Sequence, residues 1–385
     1  MKLRLTLPLA IALMLLTVAF CTGSQLFLLL SLLVVLVIVG GILSVVLASA
    51  TLEVSSSLSE TAVRRGDDLI LTLRIRHRGL LPIAPILLEL SDPAGTSGRE
   101  IRLRNQPHRI QTLRLPLHAA HVGLFSVGLH AVVVEDLLRL VSRRIPLEQS
   151  TYELVILPQT FEVQPLKLAP GDPGSEIMAR ATEDLNAPSD IRTYQPGDAM
   201  KKIHWKLSLR KGELMVRKFD EPILQEVLVL MDCSRPPSWG HPQAEADIRD
   251  ALLETAASVI TAQFTADHSF RLPLLGSHPV DVDKGMGLPI ALDYLARVDF
   301  SETDRFERVL SMESGRLRKV GCVVVVAARL NVAMVDIMIR MHRAGPNILL
   351  YLVTFAPEDE NVLPLISRLK QSGLEVSYVT PELSA

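Results

Sequence analysis

The side chains best equipped for chemistry crowd into one stretch, Asp190 to Glu221, which reads DIRTYQPGDAMKKIHWKLSLRKGELMVRKFDE. Asp198, His204 and Ser208 are the carboxylate, imidazole and hydroxyl that a hydrolase combines: the imidazole takes the hydroxyl proton and the carboxylate orients the ring. Ser208 is not set in a Gly-x-Ser-x-Gly elbow, however, so the set rests on residue types alone. Eight cations in the stretch, Arg192, Lys201, Lys202, Lys206, Arg210, Lys211, Arg217 and Lys218, would attract anionic lipid or nucleic acid, but Asp190, Asp198, Glu213, Asp220 and Glu221 offset five of them.

The same residues also read as architecture. Pro196-Gly197 makes a turn, because proline fixes one dihedral and glycine permits the next. Arg192 and Asp198 are placed to pair across it. Tyr194, Ile203 and Trp205 bring apolar bulk, and the large Trp205 is expected to pack inward with its indole N–H bonded. Arg210 and Gly212 mark a second turn, after which Glu213 to Phe219 alternates like an edge strand. On this reading Arg192, Asp198 and Trp205 anchor a strap that fixes the amino-terminal half of the chain to the carboxy-terminal half.

The amino-terminal half is apolar and then alternating. The chain has 385 residues, 48% of them hydrophobic, and the excess lies in the first fifty. Leu5 to Cys21 and Leu26 to Ala50 contain no charged residue, and about 20 apolar residues suffice to cross a bilayer. Lys2 and Arg4 before the first run resemble a signal peptide in layout, but Phe20 is a poor cleavage position and a second run comes at once. The link Thr22 to Gln25 has no Lys or Arg, whereas Lys2, Arg4, Arg64 and Arg65 flank the pair, so the positive-inside rule predicts a two-helix transmembrane hairpin with both ends in the cytoplasm. Between Thr51 and Pro158, runs such as Asp68 to His77, Ile83 to Leu90, Arg109 to Leu117, Gly123 to Val134 and Tyr152 to Leu157 alternate with period two, which predicts an immunoglobulin-like β-sandwich of about seven strands. Arg74, Arg76, Arg102, Arg104 and Arg114 fall on alternate positions of these strands, as a solvated face requires; a basic face against anionic lipid is the other reading.

Beyond the strap the period changes. Ile223 to Met231, Val320 to Ala327 and Asn347 to Thr354 are uniformly apolar strands, interleaved with helical patterns at Ala244 to Phe264, Val332 to Arg343 and Asn361 to Gln371. That pattern predicts a doubly wound α/β domain with a parallel sheet covered on both faces. The expected division is 1–50 for the hairpin, 51–164 for the sandwich, 165–222 for linker and motif, and 223–385 for the α/β domain. Asp232 stands at the carboxyl end of the first strand, where such sheets bind ligands. A net charge of −2 argues against a nucleic-acid partner, and the widely separated Cys21, Cys233 and Cys322 suggest neither disulfide nor zinc site.

Two resemblances attach to these residues. Arg192-Thr193-Tyr194-Gln195-Pro196-Gly197-Asp198, then Ile203-His204-Trp205, then Arg210 to Arg217, resemble the signature of the bacterial "domain of unknown function 58" family, with Lys202, Leu209 and Ser189-Asp190 as mild departures. Asp232-Cys233-Ser234 resembles the start of the metal-ion site of von Willebrand factor A domains, which reads Asp-x-Ser-x-Ser. Here Pro236 fills the third position, and Arg329 comes after the central strand where that family places an aspartate. A magnesium ion needs oxygen ligands in near-octahedral array, so the site at Asp232 and Ser234 is expected to be degenerate and no cofactor is expected. The resemblance implies a bacterial inner-membrane, multi-pass protein facing the cytoplasm, with a binding or scaffold role beside a MoxR-type AAA+ ATPase in complex assembly or envelope maintenance. A hydrolase using Asp198 and His204, or a lipid-surface binder, is the alternative.

Overall fold

Alternating burial along some strands and uniform burial along others distinguish a β unit from an α/β unit. The computed structural model describes residues 2–3, 5–78, 85–91, 99–104, 109–147, 150–164, 166, 190–195, 203–218, 226–237, 242–274, 280–300, 306–317 and 320–381. One compact unit is Met1–Gln159; the other takes in Thr160–Tyr294 and Val298–Leu383.

The first unit opens with β1 (Lys2–Leu3), then helices α1 (Thr6–Thr22) and α2 (Gln25–Thr51). Both helices are apolar on every side, as a helix in lipid or in a deep core must be. Gly23, at φ 66°, ends α1 by donating its N–H to the Ala19 carbonyl. Ser31 Oγ donates to the Ala12 carbonyl at 3.0 Å, joining one helix to the other. Among the described residues α2 is the one helix long and apolar enough to cross a membrane; α1 is a shorter apolar helix of 17 residues.

At Leu52 the backbone turns extended and α2 passes directly into β2 (Leu52–Leu58). With β4 (Asp68–His77) and β7 (Ile110–His118), β2 forms an antiparallel sheet in the order β2-β4-β7. A second sheet holds β3 (Ala62–Arg64), β5 (Ile86–Ser91), β6 (Arg99–Leu103), β8 (Gly123–Glu135), β9 (Val141–Pro146), β10 (Thr151–Leu157) and β1. Strand β8 organises it, pairing with β10 along Gly123 to Gly128 and with β5 and β9 along its second half. Gly128 has φ 143°, and a Cβ there would collide with the Ser150 carbonyl oxygen, so no side chain fits where β10 begins.

The two sheets share one core, to which Leu69, Leu71, Leu73 and Ile75 of β4, Ile86 and Leu88 of β5 and Leu129 and Val132 of β8 contribute. The intervening Arg74 and Arg76 are exposed, as the period of two requires. Strands β2, β3, β6 and β9 lie outside the runs read from the sequence. In β2 the inward positions are Leu52, Val54, Ser56 and Leu58, so the apolar alternation is interrupted by serine at its centre.

The second unit begins, among the described residues, with β11 (Asp190–Thr193), helix α3 (Trp205–Lys211) and β12 (Met215–Lys218). Its main sheet consists of β13 (Glu226–Met231), β14 (Ser269–Leu274), β15 (Val280–Asp283), β16 (Val320–Ala327), β17 (Asn347–Val353) and β18 (Glu375–Val379). The strand order is β15-β14-β13-β16-β17-β18, all parallel except the edge strand β15. Every residue of β16 is buried, so the strand has no solvent face to alternate with. Helices α4 (Pro242–Thr265), α5 (Leu288–Ala296), α6 (Phe306–Ser314), α7 (Val332–Arg343) and α8 (Leu363–Gln371) join the strands. The order reverses between β13 and β16, and a crevice for ligands forms at the carboxyl ends of such a pair.

These cores predict a contrast measurable by chemical denaturation of the whole chain in mild detergent. Leu73→Ala in β4 and Leu230→Ala in β13 each cost about 2 to 5 kcal/mol. Arg74→Ala, on the outer side of the same β4, changes stability by no more than about 0.5 kcal/mol.

Candidate functional site

The motif folds into a small closed unit. Strands β11 and β12 pair antiparallel, with Arg192 opposite Val216 and Thr193 opposite Met215. Tyr194 N–H donates to the Leu214 carbonyl at 2.8 Å, His204 N–H donates to the Met215 carbonyl at 2.8 Å, and Ile203 bridges to Val216. The chain between β11 and β12 therefore returns to β12 before α3 begins. Pro196, Gly197 and Asp198, and with them the expected Arg192–Asp198 pair, lie outside the described residues.

The motif's own polar groups lock α3 in place. His204 is its N-cap, with Nδ1 accepting from the Leu207 N–H at 3.3 Å. Ser208 is buried, and its Oγ accepts from the Met215 N–H at 2.8 Å while donating to the His204 carbonyl at 3.0 Å. Gly212, at φ 71°, closes the helix by donating to the Ser208 carbonyl. The Ser208 hydroxyl thus faces the backbone of residue 204 and not its ring, so the nucleophile–base contact of a hydrolytic set is not made in this geometry.

Trp205 departs from its expected packing: it is 58% exposed, and Leu209, one turn later on the same side, is 84% exposed. The reason lies in the inward positions of a seven-residue helix, which Ser208 and the half-buried Leu207 already fill. Lys206, Arg210 and Lys211 are exposed around the pair. The result is a rigid apolar ridge in a basic setting.

A second polar cluster sits at the reversal point of the sheet. Asp232 and Ser234 come directly after β13, and both are buried. Asp232 Oδ1 accepts from the Ser234 N–H at 3.0 Å and from the Ser234 hydroxyl. Arg329, just past β16, donates from Nη2 to Ser234 Oγ and brings Nε to 3.5 Å from Asp232 Oδ2. The guanidinium is thus within reach of both oxygens. Pro236, buried beside them, adds no side-chain oxygen.

Glu307 on α6 and Asn331 complete this edge. Asn331 Nδ2 donates to Glu307 Oε1 at 2.5 Å, and Asn331 Oδ1 caps α7 by accepting from the Met334 N–H at 2.9 Å. Sequence spacing gives no sign of Glu307, which reaches the cluster only through the packing of α6. Burial raises the Asp232 carboxyl above its usual range, against the hydrogen bonds from Ser234 and the charge of Arg329, and Glu307 raises it further. The three cysteines are free, and burial pushes the Cys322 thiol in β16 up to about 12, so it is no nucleophile.

The family model described as "Protein of unknown function DUF58" matches residues 190–279, the stretch that runs from β11 through Asp232 and Ser234 to just past β14. "Uncharacterized protein YeaD" of Bacillus subtilis (strain 168) is 24% identical over 189 residues, with 47% of each chain covered, so this chain spans about half the length of that relative. Among solved structures, a CARDB domain of a Pyrococcus furiosus protein, crystallised with di-metal ions, is 10% identical at TM-score 0.20, covering 28% of this chain and 94% of that one. A cycloisomaltooligosaccharide glucanotransferase of Paenibacillus sp. is 9% identical at TM-score 0.18, covering 85% of this chain and 52% of its own. Likenesses this low carry neither fold nor function to this chain.

Two outcomes check the geometry of these clusters. Ser208→Ala strands the buried Met215 N–H and costs about 1 to 3 kcal/mol, whereas Trp205→Ala costs less than about 1 kcal/mol, both read from denaturant midpoints. The raised Asp232 carboxyl binds its proton more tightly folded than unfolded. Its contribution is therefore full below the ordinary carboxylate pKa of about 3.9 and is lost as pH rises to the folded-state value. Arg329→Met deepens that loss, so the variant's stability falls more steeply than the parent's from acid towards neutral pH, and Asp232→Asn added to it flattens the profile.

Proposed function

We propose that this chain is a membrane-anchored binding protein, a scaffold whose soluble units face the cytoplasm and engage a MoxR-type AAA+ ATPase in complex assembly or envelope maintenance. The observation that carries the binding reading is the Trp205–Leu209 ridge, exposed on a helix that His204 and Ser208 hold in place. Exposed tryptophan on a preorganised element is the kind of anchor from which protein interfaces draw most of their energy. Lys206, Arg210 and Lys211 around it favour an acidic partner surface. The identity of the ATPase rests on the family resemblance of the motif.

The anchor reading is supported by the length of α2 and by the apolar α1 that is bonded to it. A transmembrane hairpin with both ends on one side is supported by β1, which precedes α1 and pairs with β9, and by β2, which continues α2 in the same unit. Arg64 and Arg65 beyond β2, with Lys2 and Arg4, favour the cytoplasm for that side. The bacterial inner membrane is the corresponding location. The immunoglobulin-like reading of the β unit draws on its two sheets and shared core. The von Willebrand factor A reading of the α/β unit draws on its strand order, its antiparallel edge and the Asp232-x-Ser234 pair at the reversal. Arg329 in contact with Asp232 and Ser234 favours a site that works without a metal.

Co-purification of the detergent-solubilised chain with a MoxR-type AAA+ ATPase of the same organism tests the proposal. The expected result is a complex whose affinity drops at least about tenfold in Trp205→Ala/Leu209→Ala, as loss of an interface anchor does. Wild-type chain that neither binds the ATPase nor alters its turnover rate contradicts the partnership, and a double variant that binds normally removes the ridge from it.

A further inference from the structure

The turn between β8 and β9 carries features that neither the core of the β unit nor the motif uses. It runs Asp136-Leu137-Leu138-Arg139-Leu140, and Leu137 and Leu138 are each 61% exposed. Exposed turns are ordinarily polar, because water satisfies their backbone. Here the backbone is satisfied from within. Asp136, itself buried, accepts from the Val141 N–H at 2.7 Å and from the Leu138 N–H at 3.2 Å, and the Arg139 N–H donates to the Asp136 carbonyl at 3.0 Å. Arg139 takes φ 55° to close the loop. A turn whose amides at 138, 139 and 141 are bonded internally and whose two leucines face outward suits an environment poor in water.

The position of the turn supplies that environment. Asp136 packs against Gly41 of α2, where a Cβ would come within 3.3 Å of its Oδ2, so the glycine makes room for the turn. Gly41 lies six residues before Leu47, the last leucine of α2's apolar run, and at 1.5 Å per residue the contact is about 9 Å inside that run. Leu43 and Leu47, between this level and Ser49, are themselves exposed. Further along α2, Arg143 of β9 donates from Nη1 to Ser49 Oγ at 2.8 Å. Eight residues, about 12 Å along the helix axis, separate Gly41 from Ser49. The unit therefore lays Leu137 and Leu138 at the deeper level, beside Arg139, whose long side chain reaches back to Glu135 at 3.8 Å, and Arg143 at the shallower one, an order that suits a lipid–water interface.

We propose that the β8–β9 turn is a second membrane contact, with Leu137 and Leu138 inserted among the lipid chains just below the headgroups and Arg143 at the level of the phosphates. The proposal rests on α2 spanning the bilayer. It gives the β unit a fixed tilt on the membrane, because a helix and a turn hold it at two points.

Depth-dependent quenching tests this in the full chain, reconstituted in vesicles of phosphatidylcholine and phosphatidylglycerol. An environment-sensitive fluorophore is placed on Leu138→Cys, and separately on Leu137→Cys, in a Cys21→Ser background; Cys233 and Cys322 are buried. Leu36→Cys, on the exposed side of α2, reports on spanning. Glu60→Cys, exposed and just past β2, about 20 Å of strand away from α2, is the aqueous control.

The expected result is blue-shifted emission at 137 and 138, quenched by lipids carrying a nitroxide near the head of the acyl chain. Leu36 is then quenched most by nitroxides near the chain end, and Glu60 by neither. If Leu36 is quenched while labels at 137 and 138 behave like Glu60, α2 spans and the turn does not insert, which overturns the proposal alone. An unquenched Leu36 overturns both the proposal and the spanning on which it rests.

Discussion

The β unit depends on the absence of any slack between an apolar helix and a core. Helix α2 ends at Thr51 and β2 begins at Leu52, while Val45 and Ala48 of the helix are already buried and Ala48 belongs to the shared core of the two sheets. A linker would have let the helix and the sandwich move independently. Without one, the apolar surface of α2 and the apolar surface that drives β4 against β8 are parts of a single packing problem. The contact of Asp136 with Gly41 and the bond from Arg143 to Ser49 arise from the same constraint.

The α/β unit solves a different problem, that of holding polar groups still. In the motif, His204, Ser208 and Gly212 are spent on backbone partners, and this leaves Trp205 and Leu209 outside. At the sheet reversal, Asp232, Ser234 and Arg329 satisfy one another, with a buried carboxylate paired to a guanidinium. Buried charge is tolerated only when it is paired and hydrogen-bonded, and each cluster meets that condition. Neither arrangement leaves an activated nucleophile among the described residues named for catalysis.

Much of this is legible from the amino acids because burial imposes periods. Asp68–His77 and Val320–Ala327 have the same bounds in sequence and structure, one from alternation and the other from an unbroken run of residues without a polar side chain. Strand β2 is poorly legible, because Ser55, Ser56 and Ser57 interrupt the alternation of Leu52, Val54 and Leu58 and its pairing with β4 is not written in local sequence. Trp205 defies its composition for a related reason. Size argues for burial, but the direction of a side chain is set by which residues of a short helix face inward, and Ser208 takes that position through a hydrogen bond invisible in composition. Arg329 falls near Asp232 because both come after neighbouring parallel strands, a relation fixed by topology. Glu307 enters from a separate helix that no local pattern ties to the cluster.

The central claim is that the α3 ridge of a membrane-bound chain is a docking surface for a protein. Site-specific photocrosslinking in living cells asks this directly, with a photoreactive amino acid in place of Leu209, the most exposed residue of the ridge. The account predicts a covalent adduct between the chain and the MoxR-type ATPase in the membrane fraction. Adducts to lipid alone, or none above those formed at an exposed position on the outer side of β4 such as Arg74, would contradict it.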